Sequence, residues 1–219
     1  MDKAKEIENV TGWLPLFVQP GQLTELRALH CGAHGRTVCG WFGHDQLDLM
    51  ARHAVELAKN AGGVYFVPNP IDPVAVIPGK ERFGLGKVGE ARKGDCTEDR
   101  HILRRLWLLI DADPERPAGT KATEAQRQAA WDVIDHCLGC LKAFGYGAGL
   151  VGDSGNGWHL CQPVDLPNND AASDKCRRLL QSLQKRCGTT AAKIDTSTYN
   201  AARIWRLYGT ENRKGKRHG

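Results

Sequence analysis

The sequence predicts a mixed α/β (α+β) protein, because short apolar runs typical of strands alternate with amphipathic helical stretches. The run LWLLI at 106–110 is continuously apolar and predicts a buried strand. Thr123 and Gln126 form a capping box ahead of an apolar stripe at helical spacing, which predicts a long helix. The glycine-rich stretch 153–157 lies between two apolar runs and predicts a hairpin. This alternation excludes a helical bundle and an all-β sandwich.

The other predicted elements follow from the same patterns. A helix containing Met50 is predicted with Asp45 as its cap, and a later helix carries an apolar face that includes Leu180. Periodicity fades over 68–105, where Gly, Pro and charged residues predict a long loop or arm. Further strands are predicted at 37–42, 63–67, 148–151, 158–164, 192–195 and 203–208.

Composition narrows the class of protein. A chain of 219 residues with 41% hydrophobic content can bury a core, and we interpret it as one catalytic domain. The net charge of +5 is mildly basic, so it allows a nucleic-acid partner without requiring one. Eight cysteines scattered through predicted elements, with no recognisable signal peptide, indicate reduced thiols in a cytoplasmic protein. No apolar run approaches the roughly 20 residues of a membrane span, so no membrane partner is expected.

Two aspartates at the end of the run at 106–110 are the first candidate site. Asp111 and Asp113 are two residues apart, so the strand period places both carboxylates on one face. Their mutual repulsion is relieved if Mg²⁺ or Mn²⁺ sits between them. The same pattern also occurs in ordinary solvated turns, so the pair needs support from elsewhere in the chain.

That support comes from two later segments. The turn at 154–157 consists of small residues whose N–H groups can approach a phosphate, and His159 follows on the next strand. A plain glycine-rich turn with a half-buried histidine is the alternative. Asp195 ends a short apolar strand, and Arg203 and Arg206 are expected on a neighbouring strand, sharing a face.

Three segments together resemble the motifs of the archaeo-eukaryotic primase (AEP) superfamily, in its prim-pol branch of phages, plasmids and mobile elements. They are LLIDADPERPAG, DSGNGWHL and KIDTSTYNAARIWRLYGT, in the family's order and spacing. The stretch GVYFVPNP also resembles the family, so the likeness reaches from about residue 65 to about residue 214. Each motif is common by itself, and the set is specific.

The resemblance implies a two-lobed catalytic core, with an amino-terminal lobe of about 1–105 and an RRM-like lobe of about 106–219. It places a two-metal site of Mg²⁺ or Mn²⁺ at their junction and implies no zinc. The metal ligands would be Asp111, Asp113 and Asp195. The residues implied to contact the nucleotide are His159, Ser154, Asn156, Arg203, Asn200 and Asn69.

The implied function is that of a DNA primase and polymerase. It would join NTPs or dNTPs on a single-stranded DNA template, and a replicative helicase, fused or separate, would be its partner. Two alternatives stay open: a non-catalytic replication-initiator module that only binds DNA, and a metal-dependent nuclease. Clustered carboxylates oppose the first, and the glycine-rich turn with His159 opposes the second.

Cysteine and histidine clusters offer weaker metal sites. Cys137 and Cys140 form a CxxC, but they fall within a predicted helix, and Cys137 is explained by its apolar stripe. Four more potential ligands fall within ten residues, namely His30, Cys31, His34 and Cys39. Their spacing matches no zinc pattern, so we expect ordinary strand and turn positions.

The carboxyl-terminal stretch 203–219 is rich in Lys and Arg. Such a run is usually a solvated face, but beside a polymerase cleft it would bind template or primer phosphates. The residues expected to do so are Arg213, Lys214, Lys216 and Arg217.

Overall fold

The computed structural model describes residues 3–117 and 119–210. The helices in these residues are α1 (Lys3–Thr11), α2 (Leu47–Ala58), α3 (Pro78–Phe83), α4 (Glu124–Ala143) and α5 (Asp170–Cys187). In the described part of the chain, no helix combines the length and apolar character needed to span a bilayer.

In the described part of the chain, four strands have eight or more residues and the others are short. In chain order they are β1 (Leu23–Cys31), β2 (Arg36–Gly43), β3 (Gly63–Phe66), β4 (Val88–Glu90), β5 (Arg104–Pro114), β6 (Leu150–Asp153), β7 (Trp158–Pro167), β8 (Ala192–Ile194) and β9 (Trp205–Arg206). They form two sheets, with the orders β4-β2-β1-β3-β9 and β6-β7-β5-β8. The predicted mixed α+β class is confirmed.

The described chain divides into two compact units. The first comprises residues 3–104 and 201–210, and the second comprises residues 105–200. The five-stranded sheet belongs to the first unit and the four-stranded sheet to the second. The chain therefore returns to the first unit after completing the second.

In the first unit, helix α2 contacts β1, β2 and β3, with Met50 and Ala54 fully buried. A second apolar cluster joins Trp41 and Val67 of the sheet region to Ile77. Both clusters bury large apolar side chains, which stabilises this unit.

The second unit runs β5-α4-β6-β7-α5-β8, a βαββαβ order of the ferredoxin-like kind. The predicted capping box begins α4: Gln126 N–H donates to Thr123 Oγ1 (3.3 Å), and Thr123 N–H donates to Gln126 Oε1 (2.9 Å). Alternate residues of β5 and the apolar stripes of both helices form one core, whose members include Leu108, Ile110, Ala112, Val133, Ile134, Leu180 and Leu183. The helices therefore cover one face of this sheet only.

Two predicted strand boundaries are corrected. Strand β5 continues through Asp113 to Pro114, so the aspartate pair lies within the strand and not beyond its end. Strand β9 is only two residues long and pairs with β3, through Tyr65↔Arg206. The prediction of Arg203 and Arg206 on a strand neighbouring Asp195 is therefore wrong.

Several elements in the first unit were not predicted. Helix α1 and strand β1 have polar, irregular patterns, and the predicted loop 68–105 contains α3 and β4. Asp45 lies in a 3₁₀ turn, and Gln46 precedes α2 without a side-chain capping bond, so Asp45 is not the cap. The 3₁₀ turn continues directly into α2, so Asp45 already lies within helical backbone and does not precede it as a cap would.

Candidate metal and nucleotide site

The side chains of strand β5 alternate between the two faces of the second unit's sheet. Ile110 and Ala112 are fully buried in the core formed with the helices. Because side chains alternate along a strand, Asp111 and Asp113 project from the opposite face. The Asp111 side chain is 22% exposed, and Asp113 is exposed.

Asp195 lies across from Asp111. Its N–H donates to Asp111 O (2.9 Å), continuing the register Ala112↔Ile194 between β5 and β8. Residues directly opposite in such a register share a face, with Cβ atoms about 4.5–5.5 Å apart. The structure therefore brings together the two motifs that carry these aspartates, 84 residues apart by their numbers (195 minus 111).

Local hydrogen bonds fix the position of Asp195. Ser197 N–H donates to Asp195 Oδ1 (2.8 Å), which closes an Asx turn just after β8. Thr198 is buried, and its hydroxyl donates to Leu109 O (2.6 Å) on β5. The residues after Asp195 thus hold the end of β8 against β5.

His159 lies beside Asp111 on the neighbouring strand. It is 5% exposed, and its Nε2 is 3.4 Å from Asp111 Oδ1. That oxygen is itself buried and has no hydrogen-bond partner, so the histidine approaches it without meeting hydrogen-bond geometry. A buried carboxylate oxygen without a partner is costly, and a ligand can relieve that cost.

The turn between β6 and β7 is pressed against β5. A Cβ at Gly157 would overlap Ala112 O and lie 3.0 Å from Asp113 Oδ1, so glycine permits the close approach. Gly155 has a φ of 93°, which glycine adopts at little cost. The sequence of this turn thus determines how near it comes to the carboxylates.

The turn does not present a row of open N–H groups. Gly155 N–H donates to Asp153 Oδ1 (2.7 Å), Gly157 N–H to Ser154 Oγ (2.9 Å) and Ser154 N–H to Gly157 O (3.1 Å). These three N–H groups bond within the turn itself, and the phosphate contact predicted for the turn stays a prediction. The turn instead fixes the start of β7, and with it His159.

Asn156 and Arg127 anchor this turn to the start of α4. Asn156 is buried and accepts a hydrogen bond from Ala122 N–H (3.1 Å). Arg127 pairs with both oxygens of Asp153, at 3.2 and 2.9 Å, and also donates to Gly155 O (3.2 Å). Burial acts to raise the pKa of Asp153, but Arg127 and Gly155 N–H outweigh it and the pKa is lowered.

Sequence reasoning missed Arg127. It falls in the first turn of α4, where it resembles any exposed helix residue, and only the folded hairpin brings Asp153 beside it. One signal in the sequence could have pointed to Arg127. Asp153 begins the glycine-rich turn, and a half-buried aspartate is stabilised by a nearby cation.

The other predicted site residues have different positions. Asn69 and Arg203 belong to the first unit, where Asn69 is buried and donates to Ala201 O (3.0 Å). Asn200 is half-buried at the end of the second unit. The four basic residues predicted to bind nucleic acid, Arg213, Lys214, Lys216 and Arg217, lie outside the described residues.

The aspartate face suits a hard cation. Its donors are carboxylate oxygens, and Asp111 Oδ1 lacks a hydrogen bond. The described chain contains two sets of three His, Cys, Asp or Glu with ligand atoms all within 4.8 Å of one another, and neither includes these aspartates. The three aspartates therefore do not form a ready-made three-ligand cluster, and Mg²⁺ is usually bound by only one or two carboxylates together with waters and substrate phosphates.

Comparisons with known proteins add no family assignment. No protein-family model, curated protein or solved structure matches the chain.

Proposed function

We propose that this chain is a primase-polymerase, which joins nucleotides on a single-stranded DNA template. What supports the proposal is the buried, unpartnered Oδ1 of Asp111, with His159 beside it and Asp195 across from it. Leaving a buried carboxylate oxygen without a hydrogen bond is costly, and a bound cation would offset that cost. The βαββαβ order of the second unit is in keeping with the RRM-like lobe of the AEP superfamily.

Asp111, Asp113 and Asp195 would hold the divalent cations. When bound, such ions neutralise phosphate charge and lower the pKa of an attacking hydroxyl. In the reaction the primer's 3′-oxygen bonds to the α-phosphorus, pyrophosphate leaves, and the hydroxyl proton is lost to water. Positioning and charge neutralisation supply most of the rate in such phosphoryl transfers.

His159 would position the triphosphate. Its Nε2 faces Asp111, so it can donate to a phosphate oxygen bound beside that carboxylate. Ser154 and Asn156 act indirectly, since their side chains close the turn and tie it to the segment before α4. Loss of His159 should therefore raise the KM for the nucleotide as well as lower kcat.

The test is incorporation of labelled NTPs or dNTPs on circular single-stranded DNA with Mn²⁺ or Mg²⁺. We expect product from the wild type and none from Asp111→Asn/Asp113→Asn. Asp135→Asn changes an exposed aspartate on α4 and is the matched control, which should keep full activity. Product from the double variant equal to that of the wild type would refute the proposal.

The same assay separates the two alternatives. A non-catalytic replication-initiator module would bind the DNA and incorporate nothing with either metal. A metal-dependent nuclease would cleave the DNA without nucleoside triphosphates. Either result for the wild type contradicts a polymerase.

A further inference from the structure

Three potential metal ligands meet on the helical side of the second unit. His136 and Cys140 lie four residues apart on α4, and therefore on one helix face, and Cys187 ends α5. Their ligand atoms all lie within 4.8 Å of one another. Sequence spacing gave only a CxxC within a helix, whereas the fold adds a ligand from a second helix.

A further thiol borders this set. Cys137 is buried in the same core, but it is not one of the residues whose ligand atoms all lie within 4.8 Å of one another. Two thiols and an imidazole contributed by two helices are the kind of donors that zinc binds.

The spacing suits a metal ion better than a disulfide. Cys140 Sγ and Cys187 Sγ are 3.7 Å apart. With Zn–S bonds of about 2.3 Å, a tetrahedral site separates two sulfurs by about 3.8 Å. A disulfide requires about 2.05 Å, so the two sulfurs would have to move closer to form one.

The second set of clustered ligands does not qualify. Glu25, Cys39 and Cys96 also lie within 4.8 Å of one another. The Glu25 carboxylate, however, already accepts hydrogen bonds from Arg27 and from Thr97 N–H. A carboxylate satisfied in this way has no need of a cation, whereas His136 is exposed and offers a path for an ion to enter.

We propose that His136, Cys140 and Cys187 bind a zinc ion. The ion would join the second half of α4 to the end of α5. Its role would be structural and independent of the aspartate face. Because the ion binds only the folded unit, it would raise that unit's stability.

The test measures metal content and spectra of the full chain under reducing conditions. Purified wild type should hold about one zinc per chain, and Co²⁺ should give the absorption of a tetrahedral thiolate site. A chelator should lower the Tm of the wild type. Cys140→Ser and Cys187→Ser should lose the zinc, the Co²⁺ spectrum and the response to chelator.

Two further variants keep the test decisive. Cys187 is buried, so its loss alone could unfold the unit, whereas His136→Ala changes an exposed residue and should keep the fold while weakening zinc binding at least tenfold. Cys31→Ser, in the first unit, should bind as the wild type does. The proposal would be overturned if the wild type bound no zinc or formed a Cys140–Cys187 disulfide in its place. It would also be overturned if His136→Ala bound zinc as tightly as the wild type. Asp111→Asn should keep its zinc, which would show that zinc binding is independent of the proposed polymerase site.

Discussion

Two carboxylates, the fully buried Glu25 and the half-buried Asp111, lie one in each compact unit and have opposite surroundings. Glu25 is fully buried, and Arg27 Nε and Nη2 donate to its two oxygens at 2.6 and 2.9 Å, while Thr97 N–H donates at 2.7 Å. Asp111 Oδ1 is buried with no hydrogen bond, and His159 Nε2 lies 3.4 Å from it. The first carboxylate is paired with an arginine, whereas the second has a histidine beside it. The proposed function assigns the first carboxylate to the stability of the fold and the second to metal binding.

Asp111→Asn gives the largest expected change in activity. It removes a metal ligand, so nucleotide incorporation should fall by about 10³-fold or more, the equivalent of several kcal/mol of transition-state stabilisation. The free energy of unfolding should stay the same or rise, because a buried charge without a partner is removed. Incorporation assays and urea denaturation check both parts. A large loss of stability would show that Asp111 is structural after all.

Glu25→Ala should show the opposite pattern. Removing one partner of a buried ion pair strands Arg27, so we expect a loss of about 3–5 kcal/mol in the free energy of unfolding. Urea denaturation measures it. Glu90→Ala is the control, since Glu90 pairs with Arg36 at an exposed position and should cost less than about 1 kcal/mol. Equal losses of unfolding free energy in Glu25→Ala and Glu90→Ala would contradict a structural role for the buried pair.

Gly157→Ala changes the surroundings of the aspartates without changing a charge. The added methyl would meet Ala112 O and Asp113 Oδ1, so the turn must move, at a cost of about 1–3 kcal/mol. Incorporation should fall with it, because His159 follows this turn. Gly139→Ala on α4 meets nothing within 4 Å and should raise stability by about 0.5–1 kcal/mol. Urea denaturation of both variants measures the difference, and a stable, active Gly157→Ala would contradict the close approach.

Asp153 lies between Glu25 and Asp111 in its surroundings, because it pairs with Arg127 but is about half exposed. Arg127 helps to hold its pKa below the ordinary 3.8, so the stabilisation is present above that pH and is lost as pH falls through the lower, folded-state pKa. The side chain is 48% exposed, so the effect should stay under about 1 kcal/mol. Carboxyl NMR titration should show the pKa rising in Arg127→Ala. It should not change in Arg178→Ala, which affects an ion pair on α5.

Periodicity in the sequence predicted the second unit well. The capping box at Thr123, the buried stripe of α4 and the β5 run all depend on neighbours within a few residues. Strand β8 was predicted from its short apolar run, which also marked Asp195 as a third acid. Local patterns are enough there because each element buries one regular face.

The first unit was harder to predict because its charges are paired through the fold. Strand β1 carries Glu25 and Arg27 at buried or half-buried positions, which hides its strand pattern. The two charges become compatible with a core only when they pair with each other and Thr97 covers them. The proposed zinc ligands Cys140 and Cys187 were missed for a similar reason, since they lie on two different helices.

The most direct measurement is the anomalous scattering of Mn²⁺ in crystals of the protein with a nucleoside triphosphate. The account predicts an anomalous peak within coordination distance of Asp111 Oδ1, and no such peak at Glu25. A nucleotide bound elsewhere, with no Mn²⁺ at Asp111, would contradict it.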